Sequence, residues 1–159
     1  MQGALVGHTD RAPARGKRHR GRECAVQLLF ELDYNPRAIE EALADFWAER
    51  RVPAQTKAFV EQRVRGVLTE RETIDGLLER SAEHWKLKRM AGVDRNIMRL
   101  AVYEMLRCPD VPPAVAINEA VELAKHLGDT GSGRFVNGVL DRIRRDLAST
   151  GAIGQPGGE

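Results

Sequence analysis

At 159 residues the chain is the size of one ordinary domain, and with 42% hydrophobic and 30% charged residues it can fill one interior, which excludes a chain disordered throughout. Aromatics are only 5%, and the abundance of Ala, Leu, Glu and Arg favours helix over strand, so an all-α fold is expected. The formal charge of +2 hides an asymmetry: residues 1 to 22 hold Arg11, Arg15, Lys17, Arg18, Arg20 and Arg22 against Asp10 alone, which concentrates +5 there and leaves −3 for the remainder.

Residues 1–20 read as a flexible basic arm, 21–148 as one helical domain and 149–159, rich in Gly, as a disordered tail. The first helix is expected from about Gly21 to Tyr34, with Ala25, Leu28, Leu29 and Leu32 on one stripe. A second covers about Pro36 to Arg51, with Ile39, Leu43, Phe46 and Trp47 on its apolar side. From Pro53 to Glu83 a period near 3.6 runs through Phe59, Val60, Val64, Val67, Ile74 and Leu78, predicting two consecutive helices with a joint near Glu70 to Thr73. Val93 to Arg107 follows, then the prolines of Cys108-Pro109-Asp110-Val111-Pro112-Pro113 force a turn. Pro113 to Leu127 and Ser132 to Leu147 complete about seven helices. No stretch alternates with period two over strand length, and short connections set neighbouring helices antiparallel or oblique around a shared core.

The candidate chemistries are few. Gly128-Asp129-Thr130-Gly131-Ser132-Gly133 has neither the lysine nor the preceding strand of a phosphate loop, and Asp129-Thr130-Gly131-Ser132 lacks the β-rich setting and second carboxylate of an aspartic protease. Gly128 as the C-cap of one helix and Ser132 or Thr130 as the N-cap of the next explain it. Cys24 and Cys108 form no CxxC and have no ligand set at metal spacing, and Cys24 lies on an apolar face, so no metal or cofactor is expected. His84 and His126 have no nucleophile beside them, and Glu104, four residues past Leu100, reads as a buried acceptor or an interface residue. No active site emerges, and the reading is non-enzymatic. No apolar run has the ~18 residues of a spanning helix, and Met1 to Asp10 lacks a signal-peptide pattern, so a cytoplasmic protein without membrane contact is expected.

The basic arm supports a polyanion partner. Lys17, Arg18, Arg20 and Arg22 stand immediately before a helix start, where ordering the arm would aim cationic groups at phosphates. Reading single-stranded RNA also needs flat rings for unstacked bases, and Phe30 and Phe135, the latter next to Arg134, are available.

Three segments in order resemble the NusB family of bacterial transcription antitermination factors. They are Arg22-Glu23-Cys24-Ala25-Val26-Gln27, the run from Val93-Asp94-Arg95-Asn96 to Ala101-Val102-Tyr103-Glu104, and Val115-Ala116-Ile117-Asn118-Glu119-Ala120 followed by Phe135-Val136-Asn137-Gly138. The resemblance covers about Arg20 to Leu147. It implies two small packed helical bundles, binding of boxA-type RNA, pairing with the small-subunit ribosomal protein NusE, and entry into the RNA polymerase elongation complex with other Nus factors to suppress premature termination in ribosomal RNA operons. By position it assigns RNA binding to Lys17, Arg18, Arg20, Arg22, Phe30, Arg134 and Phe135, and also to Asp94. Partner-binding candidates are Glu104, Asn118, Glu119 and Glu122. The arm is longer than the family's usual start and is broken by Gly16 and Gly21, and Phe30 stands where a Tyr is often found, which keeps the ring but removes a hydroxyl donor. Two other readings are the RNA-targeting domain of a ribosomal RNA methyltransferase, which would need a following catalytic domain, and a helical protein-interaction module whose arm only aids solubility. The free state is open between monomer and homodimer.

Overall fold

The computed structural model describes residues 13–82 and 86–154, so His84, the first twelve residues of the expected arm and the last five of the expected tail lie outside the described part. Among the described residues there are seven α-helices and no strand: α1 (Pro13–Tyr34), α2 (Ile39–Ala48), α3 (Ala54–Thr69), α4 (Arg71–Ser81), α5 (Gly92–Arg107), α6 (Pro113–Leu127) and α7 (Ser132–Ser149), with a 3₁₀ turn at Leu87–Arg89. The chain divides into two compact units, residues 1–65 and 66–159, and α3 crosses the boundary.

In the first unit the apolar stripe of α1 (Ala25, Leu28, Leu29 and Leu32) is buried, as are Leu43 and Phe46 of α2 and Val60 and Val64 of α3. Polar bonds join α2 to α3 at the rim. The Trp47 indole donates to Glu61 Oε2 at 2.8 Å, and the Arg65 guanidinium grips both oxygens of Glu40 at 2.7 and 3.1 Å.

The second unit is built on α5, whose residues from Asn96 to Met105 are all buried. A helix apolar on most sides belongs at a centre, and α4, α6 and α7 pack against it. Arg99 on α5 holds both oxygens of Asp75 on α4 at 2.8 and 3.0 Å and also donates to Asn96 Oδ1. At the outer end Arg107 holds both oxygens of Glu70, the residue between α3 and α4. Gly66 explains how close α3 can come to α5. A Cβ there would stand 2.2 Å from Cζ of Tyr103, so only glycine leaves room for that ring.

Several expected boundaries move. Helix α1 begins at Pro13, eight residues before Gly21, so Lys17, Arg18 and Arg20 are helical and do not form an irregular arm. Proline suits the first turn of a helix, and Gly21 is a packing position and not a break. Helix α2 is shorter than expected, starting at Ile39 and ending at Ala48. The joint between α3 and α4 falls at Glu70, inside the expected window, and α6 has the expected bounds. The N-cap of α7 is Gly131, at φ 92°, and not Ser132 or Thr130; Gly128 is the C-cap of α6 as expected. Helix α7 runs two residues past Leu147, and the Ala152 amide then donates to the Leu147 carbonyl at 2.9 Å, so the start of the Gly-rich tail closes the helix.

Candidate nucleic-acid interface

The basic residues expected to meet RNA are arranged around a ring that the sequence alone did not single out. Three guanidinium carbons lie near the ring centroid of Phe59 on α3: Arg63 at 4.2 Å, Arg18 at 5.2 Å and Arg22 at 5.6 Å. Each is within range of a cation–π contact, which favours the guanidinium without neutralising it as a carboxylate would. Gly21 makes this possible, because a Cβ there would meet the Phe59 ring at 2.7 Å. Arg63 is four residues past Phe59, a spacing that places the two on one face of a helix and could have marked the pair from sequence.

The cations are not equally accessible. Lys17 and Arg18 are exposed and Arg20 is half-buried, whereas Arg22 is only 4% exposed and Arg63 is also buried. Arg22 and Arg63 therefore shape the ring's surroundings, and Arg18 with its neighbours faces solvent. Cys24, one turn past Arg20, is buried; desolvation raises its thiol pKa above the ordinary value while Arg20 and Arg50 pull it down. That is an unreactive thiol in a packed position.

Further along α1, Phe30 is exposed, and its ring stacks on Tyr34 with centroids 6.3 Å apart and planes 8° from parallel. Basic and aromatic groups thus share the first helix.

In the second unit the expected residues separate into two kinds. Arg134 is exposed at the start of α7 and Phe135 beside it is half-buried. Asp94, assigned to the RNA-binding set by the resemblance, is only 7% exposed and turned inward. Its Oδ2 accepts the Ser132 hydroxyl at 3.0 Å, and that hydroxyl accepts the Asp129 amide, also at 3.0 Å. This fastens the beginning of α5 to the beginning of α7. Burial raises the Asp94 pKa above the ordinary carboxylate value; the Ser132 hydrogen bond opposes the rise and the Asp129 charge adds to it.

The partner-binding candidates also differ in exposure. Glu104 and Glu119 are buried, with Glu104 only 1% exposed, whereas Asn118 is exposed and Glu122 half-buried. Burial of Glu104 agrees with its reading as a buried acceptor, and Glu119 is buried as well because spacing alone does not show how deeply a helix sits.

One further depression lies in the first unit, a groove of about 440 Å³ beside Trp47. Glu40 and Glu61 face Lys57 and Arg65 around it, so its charge cancels and gives no preference for phosphate. Among the described residues no group of three or more His, Cys, Asp or Glu could hold a metal ion, and no helix is long and apolar enough to cross a membrane.

The fold and this surface define a small all-helical protein with exposed cationic and aromatic groups on its first helix. The NusB family model matches residues 19–145, and the chain belongs to the NusB family. Among curated relatives, a transcription antitermination protein NusB from Anaeromyxobacter sp. is 49% identical over 136 residues, covering 82% of this chain and 92% of that protein. Another from Desulforapulum autotrophicum is 47% identical over 131 residues, covering 81% and 92%. Among solved structures, T. maritima NusB is 36% identical with a TM-score of 0.76, over 85% of this chain and 95% of that one. A crystal structure of the antitermination factors NusB and NusE in complex with double-stranded RNA matches at 26% identity and a TM-score of 0.74, over 82% and 97%.

Proposed function

We propose that this chain is a cytoplasmic transcription antitermination factor. It binds boxA-type RNA, pairs with the ribosomal protein NusE and joins the RNA polymerase elongation complex with other Nus factors in ribosomal RNA operons, with no catalytic step of its own. The observation that carries the reading is the arginine set on Phe59, continued along α1 by exposed Phe30, in a chain of the NusB family. Lys17, Arg18 and Arg20 meet phosphates and supply affinity; Phe30 takes an unstacked base and favours single strands over paired RNA. Arg22 acts through its place against Phe59. Arg134 and Phe135 on α7 are a second candidate RNA contact, and Asn118 and Glu122 are the partner-binding candidates that remain accessible.

The test is a fluorescence-anisotropy titration of boxA RNA and scrambled RNA at several salt concentrations, with and without NusE. Arg18→Ala with Arg20→Ala is expected to weaken both RNAs alike and make the salt slope shallower by about one for each phosphate that is no longer neutralised. Phe30→Ala is expected to weaken both RNAs by about 1–3 kcal/mol at unchanged salt slope. Affinity independent of salt and of both variants would leave only a protein-interaction module.

A further inference from the structure

Tyr34 ends α1 and is 85% exposed, stacked on Phe30, which is itself 38% exposed. A ring so open to water removes little apolar area from solvent and contributes little to the core. Glu31 is exposed beside it, so phosphate is better placed toward the cationic end of the helix. Arg20 and Phe30 are ten residues apart, which is about 15 Å along a helix. At 3.6 residues per turn Arg20 also lies within about 80° of Phe30 and about 40° of Tyr34 around α1, so a single strand whose backbone is held at Arg20 can meet the two rings with its bases.

We infer that Tyr34 is a second nucleobase platform, so that Phe30 and Tyr34 receive two neighbouring bases of one single-stranded RNA. This rests on the RNA-binding reading above and adds a residue to it. Because every base has a flat face, the contribution of Tyr34 is to affinity and not to sequence choice.

The experiment measures the affinity of labelled boxA RNA and scrambled RNA for the full chain and for Tyr34→Ala, Tyr34→Leu and Tyr34→Phe, beside Arg18→Ala with Arg20→Ala. Thermal midpoints are recorded for all. Tyr34→Ala and Tyr34→Leu are expected to weaken both RNAs about 5- to 10-fold at unchanged salt slope, and Tyr34→Phe to stay within about twofold of the parent. Leucine keeps apolar area without a flat ring, and phenylalanine keeps the ring without the hydroxyl. If the arginine variant loses affinity while Tyr34→Ala and Tyr34→Leu match the parent, the platform is overturned and RNA binding stands. If the parent itself does not bind either RNA, the functional reading falls first. Loss of NusE binding by Tyr34→Ala at unchanged RNA affinity would make Tyr34 a protein contact and overturn the platform. A midpoint lowered by several degrees in both variants would make it a structural residue and overturn the platform as well.

Discussion

Two regions of the molecule, the surroundings of Phe59 and the flank of α5, use arginine in opposite ways. Around the first helix, Arg18, Arg22 and Arg63 surround the ring of Phe59, and Arg50 lies 3.7 Å from the centroid of Phe46. In the second unit Arg99 and Arg107 each hold a carboxylate with two hydrogen bonds, to Asp75 and Glu70. A carboxylate cancels the formal charge of its arginine and fixes two helices together, whereas a ring orients the guanidinium and leaves its sign intact. The same residue type is a fastener in one place and a potential phosphate contact in the other, and the neighbour decides which.

The strongest way to strike the fastened unit alone is Gly66→Ala, which drives a methyl into Tyr103 and should cost about 1–3 kcal/mol in a urea titration, with RNA affinity of the folded protein unchanged. Equal stability would show that the helices separate at no cost. Next, Ser132→Ala removes the hydroxyl that donates to Asp94 and should cost about 1–2 kcal/mol by the same measurement, again at parental RNA affinity. Phe59→Leu strikes the other unit. Removing the ring from three guanidiniums should cost about 1 kcal/mol of stability and weaken boxA and scrambled RNA about threefold alike. Unchanged affinity for both RNAs would show that the ring does not hold the guanidiniums for phosphate.

The smallest effect sharpens the comparison through pH. The native pKa of Asp94 is raised above its ordinary 3.8, so the folded state holds the proton more tightly than the unfolded one. That contribution is fully present below the unfolded value and is lost as pH rises through the raised native value. Asp94→Asn keeps an acceptor for Ser132 without the charge. It should be at least as stable as the parent at pH 7, with the advantage disappearing toward pH 4, and RNA affinity should not change. An RNA effect as large as that of Arg18→Ala with Arg20→Ala would return Asp94 to the binding surface.

Much of the fold was legible because prolines and apolar spacing act locally. Pro113 at the first turn and Gly128 after Leu127 give α6 its ends, and Glu70 interrupts the long stripe where α3 yields to α4. The start of α1 was obscured because Gly16 and Gly21 look like breaks, whereas Gly21 is small to admit the ring of Phe59, 38 positions away. The burial of Asp94 was hidden for a similar reason: its hydrogen-bond partner, Ser132, is also 38 positions distant, and no helical period connects them. Phe59 looked like core because it continues the stripe of Val60 and Val64, and only the arrival of Arg18 and Arg22 from another helix changes its meaning. Contacts within a turn or two are written in spacing; contacts between helices are not.

An arginine side chain laid against a ring has already given up part of its rotational freedom. Ordering such a side chain during association otherwise costs about 0.5–1.5 kcal/mol. With Arg18 positioned over Phe59 in the unbound protein, that entropy is surrendered on folding, and an incoming strand finds a preorganised handhold.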